Sequence, residues 1–310
     1  MTQPTSNELD QPAPARTDPR PNVDNTAPSK ILVEIKPTTG WSFVNLRELW
    51  QYRDLLIFLT WRDIKVRYRQ TVLGAAWVLL QPLMTMAVFA IFFGKLAKMP
   101  SNGVPYPVWC FCGLAPWTYF SYVLTQSSNS LVNNQNLVKK VYFPRLVIPI
   151  SNAIDGLVDF SITLVVLFCM MQYYGIHITP RVLLLFPIMM LLVCTVLGAG
   201  LWLSALNAEY RDVRYMLPFL TQFWMFVSPV VYPASIVPLT YEIGGFEIPM
   251  RAIYGLNPMV GVIEGFRWTL LDIDQPLDVT FWPALIVASV LLISGLYYYK
   301  RMERRFADVV

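Results

Sequence analysis

The sequence predicts an all-α integral membrane protein with about six transmembrane helices, an N-terminal amphipathic interfacial helix, and short re-entrant outer helices before the last span. Three observations predict it. Of the 310 residues, 55% are hydrophobic, and the mean hydropathy is +0.46. Only 14% are charged, against about 25% in an ordinary water-soluble domain. Apolar stretches close to the roughly 20 residues that a hydrocarbon layer about 30 Å thick demands recur along the chain.

Residues 1–35 are rich in Pro, Asp, Asn, Thr and Gln and cannot bury enough apolar surface to offset chain entropy. They read as a disordered cytoplasmic tail without the features of a cleavable signal peptide, which leaves targeting to the first span. Residues 41–70 mix Leu49, Trp50, Leu56 and Leu59 with Arg53, Arg62, Lys65, Arg67 and Arg69. The unbroken apolar run from Leu55 to Leu59 is too short to span, so the segment reads as a helix lying at the interface, with an ordinary soluble helix as the alternative. Spans follow at about 75–96, 108–132, 147–174, 182–206, 216–232 and 281–299, and together they form a six-helix domain. Pro82, Pro116, Pro149 and Pro187 are compatible with spans where neighbouring helices or water satisfy freed carbonyls. Between the last two spans, residues 234–280 hold two shorter apolar pieces, 235–239 and 257–271, which read as dipping into the membrane edge and returning. Residues 300–310 form a basic tail.

Placing the N-terminus inside leaves Lys95, Lys98, Arg181, Arg251 and Arg267 on the outer side, five of the 24 Lys and Arg, and nineteen on the cytoplasmic side. Both termini are therefore expected in the cytoplasm. Several function classes are disfavoured. No basic face of a folded polar domain offers a nucleic-acid footprint. The cysteines Cys110, Cys112, Cys169 and Cys194 all lie in apolar segments, as small buried hydrophobes do, and the lone His177 is too remote to complete a local metal site. No phosphate-binding loop of the G-x-x-x-x-G-K-[ST] type occurs, so the chain is not expected to hydrolyse ATP. Asp155 and Asp159, four residues apart on one face of the third span, are intramembrane acids; they read as bonded within the bundle or to the interfacial helix, with a proton relay as the alternative.

The text LTWRDIKVRYRQTVLGAAWVLLQPL, the loops NNQNLVKKVYFPR and NAEYRDVRY, and the run LNPMVGVIEGFRWTLL occur in this order around six spans. In that arrangement the chain, from about Leu46 onward, resembles the type-2 ABC exporter permeases of polysaccharide export, which move lipopolysaccharide O-antigens, capsules and teichoic acids. The resemblance implies a permease subunit in the bacterial inner membrane that is not itself an enzyme. It further implies a homodimer with two copies of a separate nucleotide-binding ATPase that binds ATP and Mg, and a lipid-linked glycan as substrate, O-antigen first. An ion-coupled secondary transporter is the runner-up, but the internal repeats it would be expected to show are not evident.

The resemblance places the ATPase-docking piece after the second span, at Asn133, Asn136, Leu137, Val138, Lys139, Lys140, Val141, Tyr142 and Arg145. There Leu137, Val138, Val141 and Tyr142 are suited to filling a groove while the basic residues stay wet or pair with acids. A cytoplasmic turn that merely sets topology is the plainer reading. Arg62, Arg67 and Arg69, with Arg211, Asp212 and Arg214, are read as supporting the same cytoplasmic surface, holding lipid phosphates, or simply setting topology. The family's aromatic-lined channel directs attention to aromatic stripes with amide or hydroxyl neighbours at helical spacing. These are Trp77, Gln81, Thr85, Val88 and Phe92 on the first span, Tyr119, Tyr122, Gln126 and Asn129 on the second, and Phe219, Gln222 and Phe226 on the fifth. Aromatic residues at that spacing are more often helix packing than a ligand wall.

Overall fold

The computed structural model describes residues 46–69, 75–210, 212–243, 246–271, 273 and 276–303. The expected disordered tail, the start of the interfacial segment at 41–45, and the end of the basic tail from 304 lie outside the described residues.

Two helices stand where one interfacial helix is expected. They are α1 (Leu46–Gln51) and α2 (Arg53–Arg69), with a break at Tyr52, whose amide bonds back only three residues to Leu49. Helix α3 (Ala75–Phe89) continues into a π-helical segment, Ala90–Leu96. Then come α4 (Tyr106–Asn133), α5 (Gln135–Lys140), α6 (Val147–Tyr173), a 3₁₀ turn at Pro180–Leu184 leading into α7 (Leu185–Glu209), α8 (Val213–Val227), α9 (Met250–Tyr254), α10 (Pro258–Leu270) and α11 (Phe281–Met302). One antiparallel hairpin, β1 (Tyr241–Ile243) with β2 (Phe246–Ile248), departs from the all-α expectation. Its sequence signal is two alternating triplets, Tyr-Glu-Ile and Phe-Glu-Ile, separated by Gly-Gly.

Four helical runs are long and apolar enough to cross a bilayer, namely Ala76–Leu96, Val147–Tyr173, Pro180–Glu209 and Phe281–Met302, which makes this a multi-pass membrane protein. The other two expected spans differ from these in instructive ways. Helix α4 has 28 residues, about 42 Å of helix, but its Trp, Tyr, Ser, Gln and Asn side chains make it too polar to stand out by hydropathy. It does not need to face lipid over much of its surface, because it is the centre of the bundle and packs on α3, α6, α7, α8 and α10. Helix α8 has 15 residues, about 22 Å, and ends at Val227 and not near 232. Pro229 follows Ser228 and disfavours helical geometry there, and Ser228 is extended at ψ 149°.

Without a hydrophobic driving force between helices in lipid, close packing and hydrogen bonding hold the bundle. Helices α7 and α11 meet through glycines: a Cβ on Gly198 would lie 2.6 Å from the Leu292 amide nitrogen, and one on Gly295 would lie 2.5 Å from the Gly198 carbonyl oxygen. Beside this contact Trp202 donates to Ser294 Oγ at 3.0 Å and stacks on Tyr298 at 4.2 Å. Asn207 donates from α7 to the Ser128 carbonyl of α4 at 2.9 Å. Hydroxyls on the helices satisfy themselves locally, as Ser128 does on Leu124 and Thr195 on Leu191. Cys110 and Cys112 are buried in α4, whereas Cys169 is exposed and Cys194 partly so, because their helices turn those faces away from the core.

Candidate functional site

Helix α2 lies against α6, and Arg67 makes the join. Its guanidinium bonds to both Asp155 and Asp159 and sits 4.4 Å from the centre of the Tyr122 ring. Tyr68 donates to Asp159, and Tyr122 donates to Asp155 Oδ2 at 2.7 Å. Partial burial and the bond to Asp159 push the Tyr68 hydroxyl up to about 12, so it remains a donor. The four-residue spacing of the two acids puts both on the face that meets α2, and they are bonded both within the bundle and to that helix. Arg67 is therefore not one of a free set of basic surface residues: each of its carboxylates is held in a charge-assisted pair, and the Asp155 side chain is only 1% exposed.

A cavity of ≈ 440 Å³ opens beside this join. Arg62, Asp63, Val66 and Arg67 of α2 line one wall, Tyr122, Gln126, Ser130 and Asn133 of α4 another, and Asn134 with Asn152 and Asp155 of α6 complete it. Arg62 pairs with Asp63 at 2.8 Å and donates to Asn134 Oδ1 at 3.2 Å. Of the aromatic stripe expected on the second span, only Tyr122 and Gln126 reach this cavity. Tyr119 is buried, donating to the Ala153 carbonyl at 3.1 Å and packing on Phe160, and Asn129 bonds Thr125 and Asn207. Those two belong to helix packing, because a period of three to four residues cannot tell two adjacent faces of a fully surrounded helix apart.

The other two stripes stay on the surface of the chain. Trp77, Gln81, Val88 and Phe92 of the first span are exposed, while Thr85 bonds its own helix at the Gln81 carbonyl. Phe219, Gln222 and Phe226 of α8 are exposed, and Phe219 stacks on Phe223 at 6.3 Å. Among the described residues, α3 packs chiefly on α4 and α6, and α8 on α4 and α7.

The segment after α4 splits in the same way. Val138 is buried and cannot fill a partner's groove, contrary to expectation, because α5 turns it inward beside Phe143 and Leu146. Leu137 is partly buried, and Asn133, Asn136, Lys139, Lys140, Val141 and Tyr142 are exposed. Arg145 is held by Glu303: it donates to the Glu303 carbonyl, and its own amide donates to Glu303 Oε1 at 3.2 Å. Arg69, Asp212 and Arg214 are exposed, and Arg211 lies outside the described residues.

A buried arginine was not visible as such. Arg267 of α10, expected among the outer-side charges, is 0% exposed. Its guanidinium lies 3.4 Å from the centre of the Trp109 ring, pairs with Glu264 at 3.1 Å and donates to the Val230 carbonyl at 2.8 Å. Gly113 makes the room, since a Cβ there would fall 2.6 Å from Arg267 Nη2. Glu264 also accepts from the Ala234 amide at 3.0 Å, and Asn257 caps α10 while linking Trp224 and Ser228. Helix α10 is thus fastened to α4 and to the chain leaving α8. The i,i+3 spacing of Glu264 and Arg267 was the available clue.

With this geometry in place, comparison with known proteins is informative. Residues 54–271 match the family model described as ABC-2 type transporter. The chain is 32% identical over 269 residues to the O-antigen export system permease protein RfbA of Myxococcus xanthus, covering 86% of this chain and 98% of that protein. It is 26% identical over 261 residues to a protein of the same name from Klebsiella pneumoniae, covering 83% and 95% respectively. It is 25% identical over 252 residues to the polysialic acid transport protein KpsM of Escherichia coli, covering 78% and 91%.

Proposed function

The chain belongs to the ABC-2 type transporter family, and from that premise we propose that it is the permease subunit of an ATP-driven exporter of a lipid-linked polysaccharide, O-antigen in the first place. The observation that carries this reading is the 32% identity to an O-antigen export permease over 98% of that protein's length. Polysialic acid export is second, supported by the lower identity of 25%.

In this reading α4 and α8 complete six spans, both termini face the cytoplasm of a bacterial inner membrane, and α2 lies at its cytoplasmic interface. Two copies of the chain form the path and two copies of an ATPase dock beneath them. No ATP-binding residues are assigned to this chain; the partner holds ATP and its magnesium. The exposed pair Val141 and Tyr142, flanked by Lys139 and Lys140, has the chemistry to enter a groove on that ATPase, an apolar anchor with a wet basic rim. Substrate exerts its demands elsewhere: the exposed stripes of α3 and α8 supply aromatic faces with amide neighbours toward a path closed by the second copy.

The test is affinity purification of the permease co-expressed with a candidate nucleotide-binding ATPase from the same organism. The wild type is expected to retain the ATPase, and Val141→Asp with Tyr142→Asp to retain at least tenfold less while melting at an unchanged temperature. Undiminished recovery with the double variant would remove the docking surface. Failure of the wild type to retain any ATPase would remove the exporter reading.

A further inference from the structure

We propose that the cavity between α2, α4 and α6 binds an uncharged saccharide unit, a hydroxylated or N-acetylated sugar and not a carboxylated, phosphorylated or amino one. This deepens the reading of the chain as a glycan exporter and rests on it for the source of the sugar.

Size sets the first bound. At ≈ 440 Å³ the cavity falls within the range of about 300–1,000 Å³ in which small-molecule sites occur. A cavity bordered by Glu264 and Trp268 near the Arg267 cluster holds only ≈ 40 Å³, room for little more than water.

The lining sets the chemistry. Helical spacing brings Tyr122, Gln126, Ser130 and Asn133 down one side of α4, opposite Asn152 and Asp155 of α6. Among the described residues, the side chains of Gln126, Asn133 and Asn152 make no hydrogen bond within the chain, and Asp155 Oδ1 is buried without a partner. Gln126 and Asn152 are half-buried and Asn133 is exposed, so their amides keep donors and acceptors free for whatever enters the cavity, whereas the buried Asp155 oxygen without a partner is the uncommon case that costs free energy. An amide offers both donors and acceptors, and a sugar hydroxyl does the same, so three open amides match a ring of hydroxyls.

Charge decides against the alternatives. Arg62 is paired with Asp63, and Arg67 with Asp155 and Asp159, so the two guanidiniums that border the cavity are already answered by three carboxylates. A phosphate or carboxylate would find no unpaired cation there and would face the open oxygen of Asp155. An ammonium group would find every one of those carboxylates already committed to a guanidinium and would have to compete with it. A neutral sugar asks no charge of the wall and leaves both ion pairs in place.

The test uses the full chain in lipid nanodiscs and saturation-transfer NMR with four probes on one scaffold: N-acetylglucosamine and its disaccharide as neutral ligands, glucosamine as a cation, and glucose 6-phosphate as an anion. The neutral probes are expected to bind at least tenfold more tightly than the charged ones, and Gln126→Leu with Asn152→Leu to weaken them at least tenfold. Should the leucine pair fail to fold, alanine at both positions is expected to give the same loss. Equal binding of glucose 6-phosphate or glucosamine, binding unchanged in the variants, or no binding of any probe to folded wild type would overturn the assignment. The ATPase-retention assay of the previous section separates the two readings, since neither Gln126 nor Asn152 lies on the Val141–Tyr142 surface. Failed sugar binding with the ATPase retained strikes only the cavity, and a lost ATPase with sugar still bound strikes only the exporter.

Discussion

Arg67 and Arg267 are built alike and placed apart. Each lies over an aromatic ring of α4, Tyr122 or Trp109, thirteen positions and so about 20 Å apart along that helix, and each answers acids, Arg67 those of the neighbouring α6 and Arg267 the Glu264 of its own helix. Each fastens a helix that does not itself run the bundle's length: α2 in the one case, α10 in the other. What divides them is water. The Arg67 side chain is 24% exposed and borders an open cavity, whereas that of Arg267 is 0% exposed and is enclosed by Gly113 and the Val230 carbonyl. A cation–π contact and an ion pair are worth more where solvent is excluded, and losing one partner there leaves the other stranded. The α10 join is therefore a permanent fastening. The α2 join is one whose guanidinium and Asp159 carboxylate solvent can reach while Asp155 stays covered, as suits a helix bordering a binding cavity.

The largest expected effect tests the sealed join. Arg267→Met should destabilise the chain by about 3–5 kcal/mol, because the largely covered Glu264 loses its cation and the buried Val230 carbonyl and Trp109 ring lose theirs. In a melting experiment on purified protein this corresponds to a drop of roughly 10 °C. An unchanged melting temperature would mean that the two arginines do not differ as described. Gly113→Leu attacks the same join from the opposite side, by overfilling the space that Arg267 occupies, and should cost about 1–3 kcal/mol by the same measurement.

Arg67→Met should cost less, about 1–3 kcal/mol, since water can reach the freed Asp159 and Asp155 keeps its bond from Tyr122. Its sharper signature is local: a spin-label pair across α2 and α6 should lengthen and broaden, while a pair across α4 and α10 stays as in the wild type. The smallest effect belongs to Tyr68→Phe, which removes one hydrogen bond to Asp159 and should cost about 0.5–1.5 kcal/mol. Its pH dependence has a definite sign. The Tyr68 hydroxyl is raised from 10.0 to about 12, so its contribution is complete below pH 10 and is lost as pH rises through about 12. Wild-type melting should consequently fall more steeply over that interval than melting of the phenylalanine variant.

How much of this was legible beforehand varies with the environment of each helix. The apolar runs at 75–96, 147–174, 182–206 and 281–299 could be read directly, and helices long and apolar enough to cross a bilayer stand there. Asp155 and Asp159 could be read as a pair on one face, because helical geometry alone puts residues four apart together. Their partner could not be named from spacing, since Arg67 is 88 residues from Asp155 in the chain and was one of several arginines on its helix. The same limit applies to Val138 and Tyr119, whose types suit a partner's groove or a ligand wall equally well. Both turned out to be packed into their own chain.

The sequence by itself determined that this chain lives in a membrane and where most of its spans run, because transfer of some twenty apolar residues into hydrocarbon is a local, additive free energy that any window of the chain reports. The family motifs lie on the chain in an order that could likewise be read directly. Only tertiary structure decided which polar residues are open to a ligand and which are spent on one another. Whether Arg267 is a wet loop charge or a sealed cation, and whether Gln126 faces a cavity while Asn129 faces a helix, depends on which distant side chains occupy the same few ångströms. A pairwise burial of that kind is not written at either residue alone.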